Sequence, residues 1–367
     1  MQKSKILIAA GGTGGHLFPA QALAEQLLEK NADIELFFAG AKLSTNAYLD
    51  KERFRFVEIA SMTPFRGNLI KAFVSMGILL KGIKQSCQLL SKEKPHLVVG
   101  FGSFHVFPLL CAARLLKIPY FLFESNAIPG KVVRLFSKRA RLTGVYFSEA
   151  KHTLKGKTAQ VEIPTKKTAS SNFSKQQARE QLHLNTDLTT LLIFGGSQGA
   201  QGINKQVLSM LPLLQTHVRF QIIHLTGSEE TAQQSSELCL SLGIPCYAKK
   251  FEKNMDILWK AADVAICRAG AMTLSELLAH EVPGLLIPFP AASDQHQLKN
   301  ALVLEKNVGG AIHLVESTLT PEKLLATILP LVDPHSAKSS EMKAAIKHYK
   351  THEKRADFCR LILDNHE

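Results

Sequence analysis

Residues 5–28 read KILIAAGGTGGHLFPAQALAEQLL, and residues 189–211 read TTLLIFGGSQGAQGINKQVLSML. Each opens as a short apolar run, passes through a glycine-rich turn and continues as a helix. In the first, Ala20, Leu23, Ala24, Leu27 and Leu28 recur on one helical face, and Ile203, Val207, Leu208 and Leu211 repeat the pattern in the second. A strand that turns through glycines into a helix is the building unit of a parallel sheet flanked by helices, and its double appearance predicts one architecture built twice. Working outward, strands are expected at Lys5–Ala10, Ile34–Ala39, His96–Gly100, Pro119–Phe123, Thr189–Phe194, Phe220–Leu225, Asp263–Cys267 and Gly284–Pro288. The polar stretch from Pro164 to Lys175 marks a domain boundary, and His352–Leu363 reads as a terminal helix that packs back on the body of the protein.

The chain of 367 residues is 46% hydrophobic and 20% charged, enough for two domains with a core each, which excludes a disordered tail or a disulfide scaffold. Residues 1–167 carry 25 basic and 11 acidic side chains, and the remainder 19 and 20, so the whole net charge of +13 comes from the first half. That half alone is expected to meet an anionic partner. The six cysteines are dispersed without metal-ligand spacing and read as thiols of a reducing compartment. The apolar start is too short for a signal peptide, and Val106–Phe123 is broken by Pro108, Arg114, Lys117 and Pro119. A cytoplasmic protein, at most resting on a membrane, is the expectation.

Glycines let a backbone turn sharply and aim its N–H groups at an anion, and the helix that follows adds partial positive charge. Gly11 to His16 and Gly195 to Ala200 are both placed to do this, the second with the Ser197 hydroxyl, and Gly100-Phe101-Gly102-Ser103 is a third such turn. An NAD site would want an acidic residue ending the second strand; FFAGAK has none. No cofactor is expected. Arg268-Ala269-Gly270-Ala271-Met272-Thr273-Leu274-Ser275-Glu276 is the most specific segment. Its turn suits a pyrophosphate, Glu276 could accept paired ribose hydroxyls, and Gln297 and Asn300 share a helical face toward sugar hydroxyls. None of the nine aspartates forms an Asp-x-Asp pair, so no metal is expected and leaving-group charge falls to amides and helix dipoles.

GGTGGHLFPA, GGSQGA and RAGAMTLSE followed by DQHQLKNA, in this order, resemble the MurG family of N-acetylglucosaminyltransferases from about residue 5 to 340. The resemblance implies a GT-B fold: α/β, with two Rossmann-like domains whose parallel sheets face across a cleft, and a C-terminal helix returning to the first domain. On it, residues 1–163 plus 341–367 form the acceptor and membrane-associating domain, and residues 164–340 the UDP-sugar domain. It implies inverting transfer of N-acetylglucosamine from UDP-N-acetylglucosamine to the muramoyl 4-hydroxyl of undecaprenyl-linked lipid I, giving lipid II, at the cytoplasmic face of the inner membrane beside other cell-wall synthesis proteins. Carried over by position, Thr13, Gly14 and Gly15 meet the donor sugar side and Asn126 the N-acetylglucosamine. Ser197, Gln198 and Gly199 reach the diphosphate; Ala271, Met272, Thr273 and Glu276 surround diphosphate and ribose; Glu252, His296 and Gln297 complete the donor contacts. The chain departs from the family at Phe123 and Ser125, at Ser103 and Phe104, and at Lys166, which stands where an arginine diphosphate ligand is usual.

His16 has a suitable ordinary pKa for the general base; the alternative is that it shapes the loop, and Glu124 competes for the role. Between Glu58 and Glu93 no acidic residue occurs, while Lys71, Lys81 and Lys84 alternate with Leu69, Ile70, Phe73 and Leu79. This composition suits a helix lying on an anionic phospholipid surface, against the alternative of a core helix with solvated lysines. Nucleic acid is not expected, because no module for it is present. Two rivals stay open: a transferase acting on another lipid such as diacylglycerol, and a non-catalytic UDP-sugar-binding protein.

Overall fold

The computed structural model describes residues 4–63, 69–166, 172–196 and 199–365. The chain divides into two compact units, 1–166 with 355–367, and 167–354. The first holds strands β1 (Ser4–Ala9), β2 (Ile34–Gly40), β3 (Phe56–Glu58), β4 (Leu97–Phe101), β5 (Tyr120–Glu124), β6 (Leu142–Val145) and β7 (Thr158–Gln160). Its helices up to the boundary are α1 (Gly14–Lys30), α2 (Leu69–Glu93), α3 (Phe107–Leu115) and α4 (Lys131–Ser137). The strands are all parallel in the order β3-β2-β1-β4-β5-β6-β7.

The second unit holds β8 (Thr189–Phe194), β9 (Phe220–Leu225), β10 (Cys246–Lys249), β11 (Val264–Cys267), β12 (Gly284–Leu286) and β13 (Ala311–His313), parallel in the order β10-β9-β8-β11-β12-β13. Its helices are α5 (Lys175–Gln181), α6 (Gln201–Gln215), α7 (Glu229–Leu242), α8 (Met255–Ala261), α9 (Ala271–His280), α10 (His296–Leu302), α11 (Pro321–Val332) and α12 (Lys338–His352). The chain then returns to the first unit as α13 (Phe358–Asp364).

Covered on both faces, the central strands are mostly apolar and almost wholly buried. Leu191 and Ile193 of β8 pack in one cluster with Ile203, Val207 and Leu211 of α6 and Ile328 of α11. In each sheet the order reverses beside the strand that comes first in sequence. β1 lies between β2 and β4, and β8 between β9 and β11. Ligands of open parallel sheets bind outside the carboxyl ends of strands at such a reversal, and all four strand ends there run into the glycine-containing turns quoted above.

The expected strands are present with ends shifted by up to two residues, but β3, β6, β7, β10 and β13 were not expected. Two boundaries also differ. The sequence placed the first boundary after 163 and the return at 341, whereas the units change at 166 and 354. Helix α12 stays in the second unit because Met342 joins its core and Ile346 is buried against Gly310. The terminal helix is shorter than His352–Leu363: α12 ends at His352, Ala356 forms a parallel bridge with Val161, and helix resumes only at Phe358 as α13. Phe358 of α13 then packs 5.5 Å from Phe123.

Candidate functional site

In the first unit, β1 ends at Ala9 and α1 starts at Gly14, with Thr13 as an N-cap that makes no side-chain bond to the helix. Gly12 has φ +91°, a conformation suited to glycine, and a Cβ there would stand 3.0 Å from the His105 ring. Asn46 Nδ2 donates to the Gly12 carbonyl at 2.7 Å and holds the turn from the other side. The half-buried His16 lies in the first turn of α1, its N–H donating to Thr13 O at 3.1 Å. A Cβ at Gly102 would be 3.6 Å from His16 Cε1, so the third glycine turn sits beside the imidazole. The structure therefore brings together Thr13, Gly14, Gly15, His16 and the turn after β4.

Glu124 and Asn126 form a separate cluster. Glu124 Oε1 accepts from the backbone N–H and side-chain amide of Asn126 at 2.9 and 3.0 Å, and Oε2 accepts from Gly130 N–H at 2.9 Å. A base in this position would first have to break bonds that hold its own loop; Glu124 is an anchor for the Ser125–Gly130 segment. Lys166 also differs from expectation. It belongs to the first unit, and its ammonium pairs with Glu25 of α1 at 2.7 Å, beside Arg53 at 2.6 Å.

In the second unit, Gly196 and Gly199 have φ +95° and +72°. A Cβ on Gly199 would lie 2.2 Å from the Thr226 carbonyl, so both conformation and space require glycine. Ser197 and Gln198 lie outside the described residues. Helix α6 follows with Ala200 as N-cap, and α9 follows β11 with Gly270 as N-cap; neither has a side-chain cap. By contrast α5, α7 and α11 are capped by Ser174, Ser228 and Thr320. The first N–H groups of α6 and α9 are thus available to an anion. Ala271, Met272 and Thr273 supply those of α9.

Glu276 lies in the next turn of α9, and its Oε2 accepts from Trp259 Nε1 at 2.9 Å. Burial lifts its carboxyl to about 7, the Trp259 bond opposing and Asp256 adding to the rise. Gln297 uses Oε1 to accept from Phe289 N–H at 2.9 Å, and its amide NH2 has no partner among the described residues; His296 opens α10 next to it. Asn300 is not a sugar ligand: it is fully buried and its Nδ2 donates to Ala269 O at 3.1 Å, holding the turn before α9. Glu252 is engaged by Tyr247 OH and Asn254 N–H, both at 3.0 Å. Sequence reasoning missed Asn46, His105 and Trp259, which reach the site only through folding; only His105 had a signal, its place two residues after the third glycine turn.

On α2, Leu79 is corrected. It is buried with Ser75, Ser86 and Leu90 on the face that packs inward, whereas Phe73, Val74, Met76, Leu80, Lys81 and Lys84 are exposed. The side chains of Leu69, Ile70 and Lys71 lie outside the described residues. Among the described residues no helix is long and apolar enough to cross a membrane, and no three His, Cys, Asp or Glu side chains converge as metal ligands would.

Family comparison fixes the class first. The N-terminal domain model of glycosyltransferase family 28 matches residues 6–145 and its C-terminal domain model residues 190–356. A relative in Protochlamydia amoebophila, a UDP-N-acetylglucosamine–N-acetylmuramyl-(pentapeptide) pyrophosphoryl-undecaprenol N-acetylglucosamine transferase, is 40% identical over 99% of this chain and 96% of its own. A relative of the same name in Geobacter sp. is 34% identical over 92% and 90%. The crystal structure of Acinetobacter baumannii MurG superposes with a TM-score of 0.76 at 24% identity, covering 98% of each chain, and a UDP-glucose: anthocyanidin 3-O-glucosyltransferase in complex with UDP gives 0.68 at 12%, covering 96% and 94%. Within glycosyltransferase family 28, the chain belongs to the MurG family, and its fold is GT-B.

Proposed function

We propose that this protein transfers N-acetylglucosamine from UDP-N-acetylglucosamine to the muramoyl 4-hydroxyl of undecaprenyl-pyrophosphoryl-N-acetylmuramyl-pentapeptide, with inversion, releasing UDP. The observation that carries this reading is the α9 turn: a helix start without a side-chain cap, followed one turn later by Glu276, which has one carboxyl oxygen without a partner among the described residues. A diphosphate followed by a ribose diol fits that order. The names of the full-length relatives supply the sugar and the acceptor.

In this reading the second unit binds the donor. The amides of Gly195, Gly196 and Gly199 and of Gly270–Thr273 meet the diphosphate and remain fixed as charge develops on departing UDP, which lowers the barrier without reorganisation. Glu276 accepts the ribose hydroxyls, and Gln297 and His296 meet the sugar. The first unit binds the acceptor, with His16 taking the proton of the attacking hydroxyl. Deprotonation on one face while UDP leaves from the other gives inversion.

The same unit rests on the cytoplasmic face of the inner membrane. Phe73 is 80% and Leu80 61% exposed, and with Met76 and Lys84 they follow one helical stripe of α2 beside Lys81. An apolar stripe flanked by cations matches an anionic headgroup region. Turnover with purified lipid I tests the assignment: UDP release with lipid I but not with diacylglycerol is expected. Tight donor binding with no turnover on lipid I would instead make the protein a binding module.

A further inference from the structure

We propose that Trp259 is a positioning residue for the donor ribose: its indole N–H holds one oxygen of Glu276 so that the other faces the nucleotide. This rests on the reading that the second unit binds the UDP-sugar.

The tryptophan is the only one in the chain, and it is 1% exposed on α8. Two aromatic neighbours fix its ring. Phe194, the last residue of β8, meets it edge to face at 5.6 Å and 87°, and His280 of α9 stacks parallel at 6.3 Å and 7°. His280 is itself held by Asp256 at 3.3 Å. The ring therefore cannot rotate without disturbing either the strand that runs into Gly195 or the helix that carries Glu276. One side chain links both donor turns, and the direction of its single N–H is set by packing.

The indole has one donor, at 2.9 Å from Glu276 Oε2, and among the described residues Oε1 has no partner. A half-buried carboxyl with one oxygen taken and one open can accept from a diol without having to choose a rotamer first. Losing a donor to a partly desolvated acceptor is costly. It also shifts titration. The N–H favours the carboxylate, so its removal moves the Glu276 pKa above about 7. The other titratable groups on the elements around it are Asp256 and Lys260 on α8, Cys267 ending β11 and His280 on the same helix, with His296 and Lys299 on α10, which packs against α9.

The test measures dissociation of UDP-N-acetylglucosamine, whose diphosphate diester does not titrate near neutrality, from pH 6 to 9. Wild type, Trp259→Phe, Glu276→Gln and the double variant are compared. In wild type, affinity should rise as pH increases through about 7, because the ribose hydroxyls bond best to the carboxylate. Trp259→Phe should weaken binding about tenfold at pH 7 and move this midpoint upward. In the Glu276→Gln background binding should be flat with pH, and the same tryptophan substitution should cost less than about twofold. Equal losses in both backgrounds, or an unmoved midpoint, would overturn the proposal and leave the donor site intact. A Glu276→Gln variant that binds as wild type would instead sink the donor assignment of Glu276 itself. The emission of the single indole gives a second readout that needs no tryptophan variant: saturating donor should change it in wild type and not in Glu276→Gln, and an unmoved emission would refute the coupling.

Discussion

Ser103 stands in the turn after β4 with φ +94° and ψ +159°, a region that only glycine occupies without strain. Its hydroxyl oxygen is buried without a hydrogen-bond partner among the described residues. A side chain held in this region costs about 1–3 kcal/mol, and an unsatisfied buried hydroxyl about 1 kcal/mol or more. Against this, glycine has a freer unfolded chain, worth about 1 kcal/mol. Ser103→Gly should therefore stabilise the first unit by a net of about 1–3 kcal/mol, which for a unit of this size raises its melting midpoint by about 2–12 °C. Ser103→Ala keeps the strain and removes only the hydroxyl, so it should recover the smaller part of the gain. Calorimetry of the full chain, following the transition that belongs to the first unit, reads both. If Ser103→Gly melts at or below the wild-type temperature, the turn is not strained as argued and the hydroxyl has a role that outweighs its burial.

Other perturbations test other parts. His16→Ala should lower kcat by about 10²–10⁴ with little change in donor KM; a change in KM alone would mean that the imidazole shapes the loop and transfers no proton. Glu93 is held near a pKa of about 2, chiefly by Arg55 and then by Lys5, and its side chain is only 9% exposed. Because its folded pKa is depressed, its contribution is present above the unfolded value and is lost as pH falls toward 2. Glu93→Gln should lower stability by about 1–2 kcal/mol at pH 7, a figure reduced for solvent screening, and the gap between the urea midpoints of variant and wild type should narrow steadily as pH falls toward about 2; a gap unchanged over that range would refute the ion-pair account. Phe73→Asp and the pair Lys81→Ala and Lys84→Ala should each weaken sedimentation with anionic vesicles, the lysine pair by about 2 kcal/mol at low salt, with thermal stability unchanged. Binding that ignores both salt and these substitutions would remove α2 from the membrane.

The sequence revealed the parts of the fold that carry their own signal. Strands β8 and β9 were read to the residue because both are central and dominated by apolar side chains, with Gln221 and His224 the polar exceptions inside β9. The unexpected strands β3, β7, β10 and β13 are short edge strands such as Thr158–Gln160, which are extended because a neighbour offers hydrogen bonds and not because three residues demand it. Strand β6 was hidden by Gly144, where a Cβ would come within 2.7 Å of Phe358, a residue more than two hundred positions away. The glycine turns were legible for the opposite reason: positive φ at Gly12, Gly196 and Gly199 leaves a mark in the amino-acid choice itself.

Side-chain partners were far less legible. Lys166 looked like a phosphate ligand by position, yet its partner Glu25 is on α1. Asn300 shared a helical face with Gln297, but only folding shows that this position is fully buried and that its amide serves Ala269. On α2 the apolar residues run almost around the helix, so the pattern could not separate Leu79, which faces inward, from Phe73 and Leu80, which do not. Trp259 carried no sequence signal; its link to Glu276 is a property of where α8 and α9 lie.

The central claim is that fixed backbone amides of the second unit, at the turns after β8 and β11, carry the charge of the departing nucleotide. The most direct measurement is the rate of UDP release from UDP-N-acetylglucosamine with lipid I, first with excess chelator and then with added magnesium. The account predicts rates equal within about twofold, since oriented amides and helix dipoles act without an ion. Activity abolished by the chelator and restored by magnesium would contradict it.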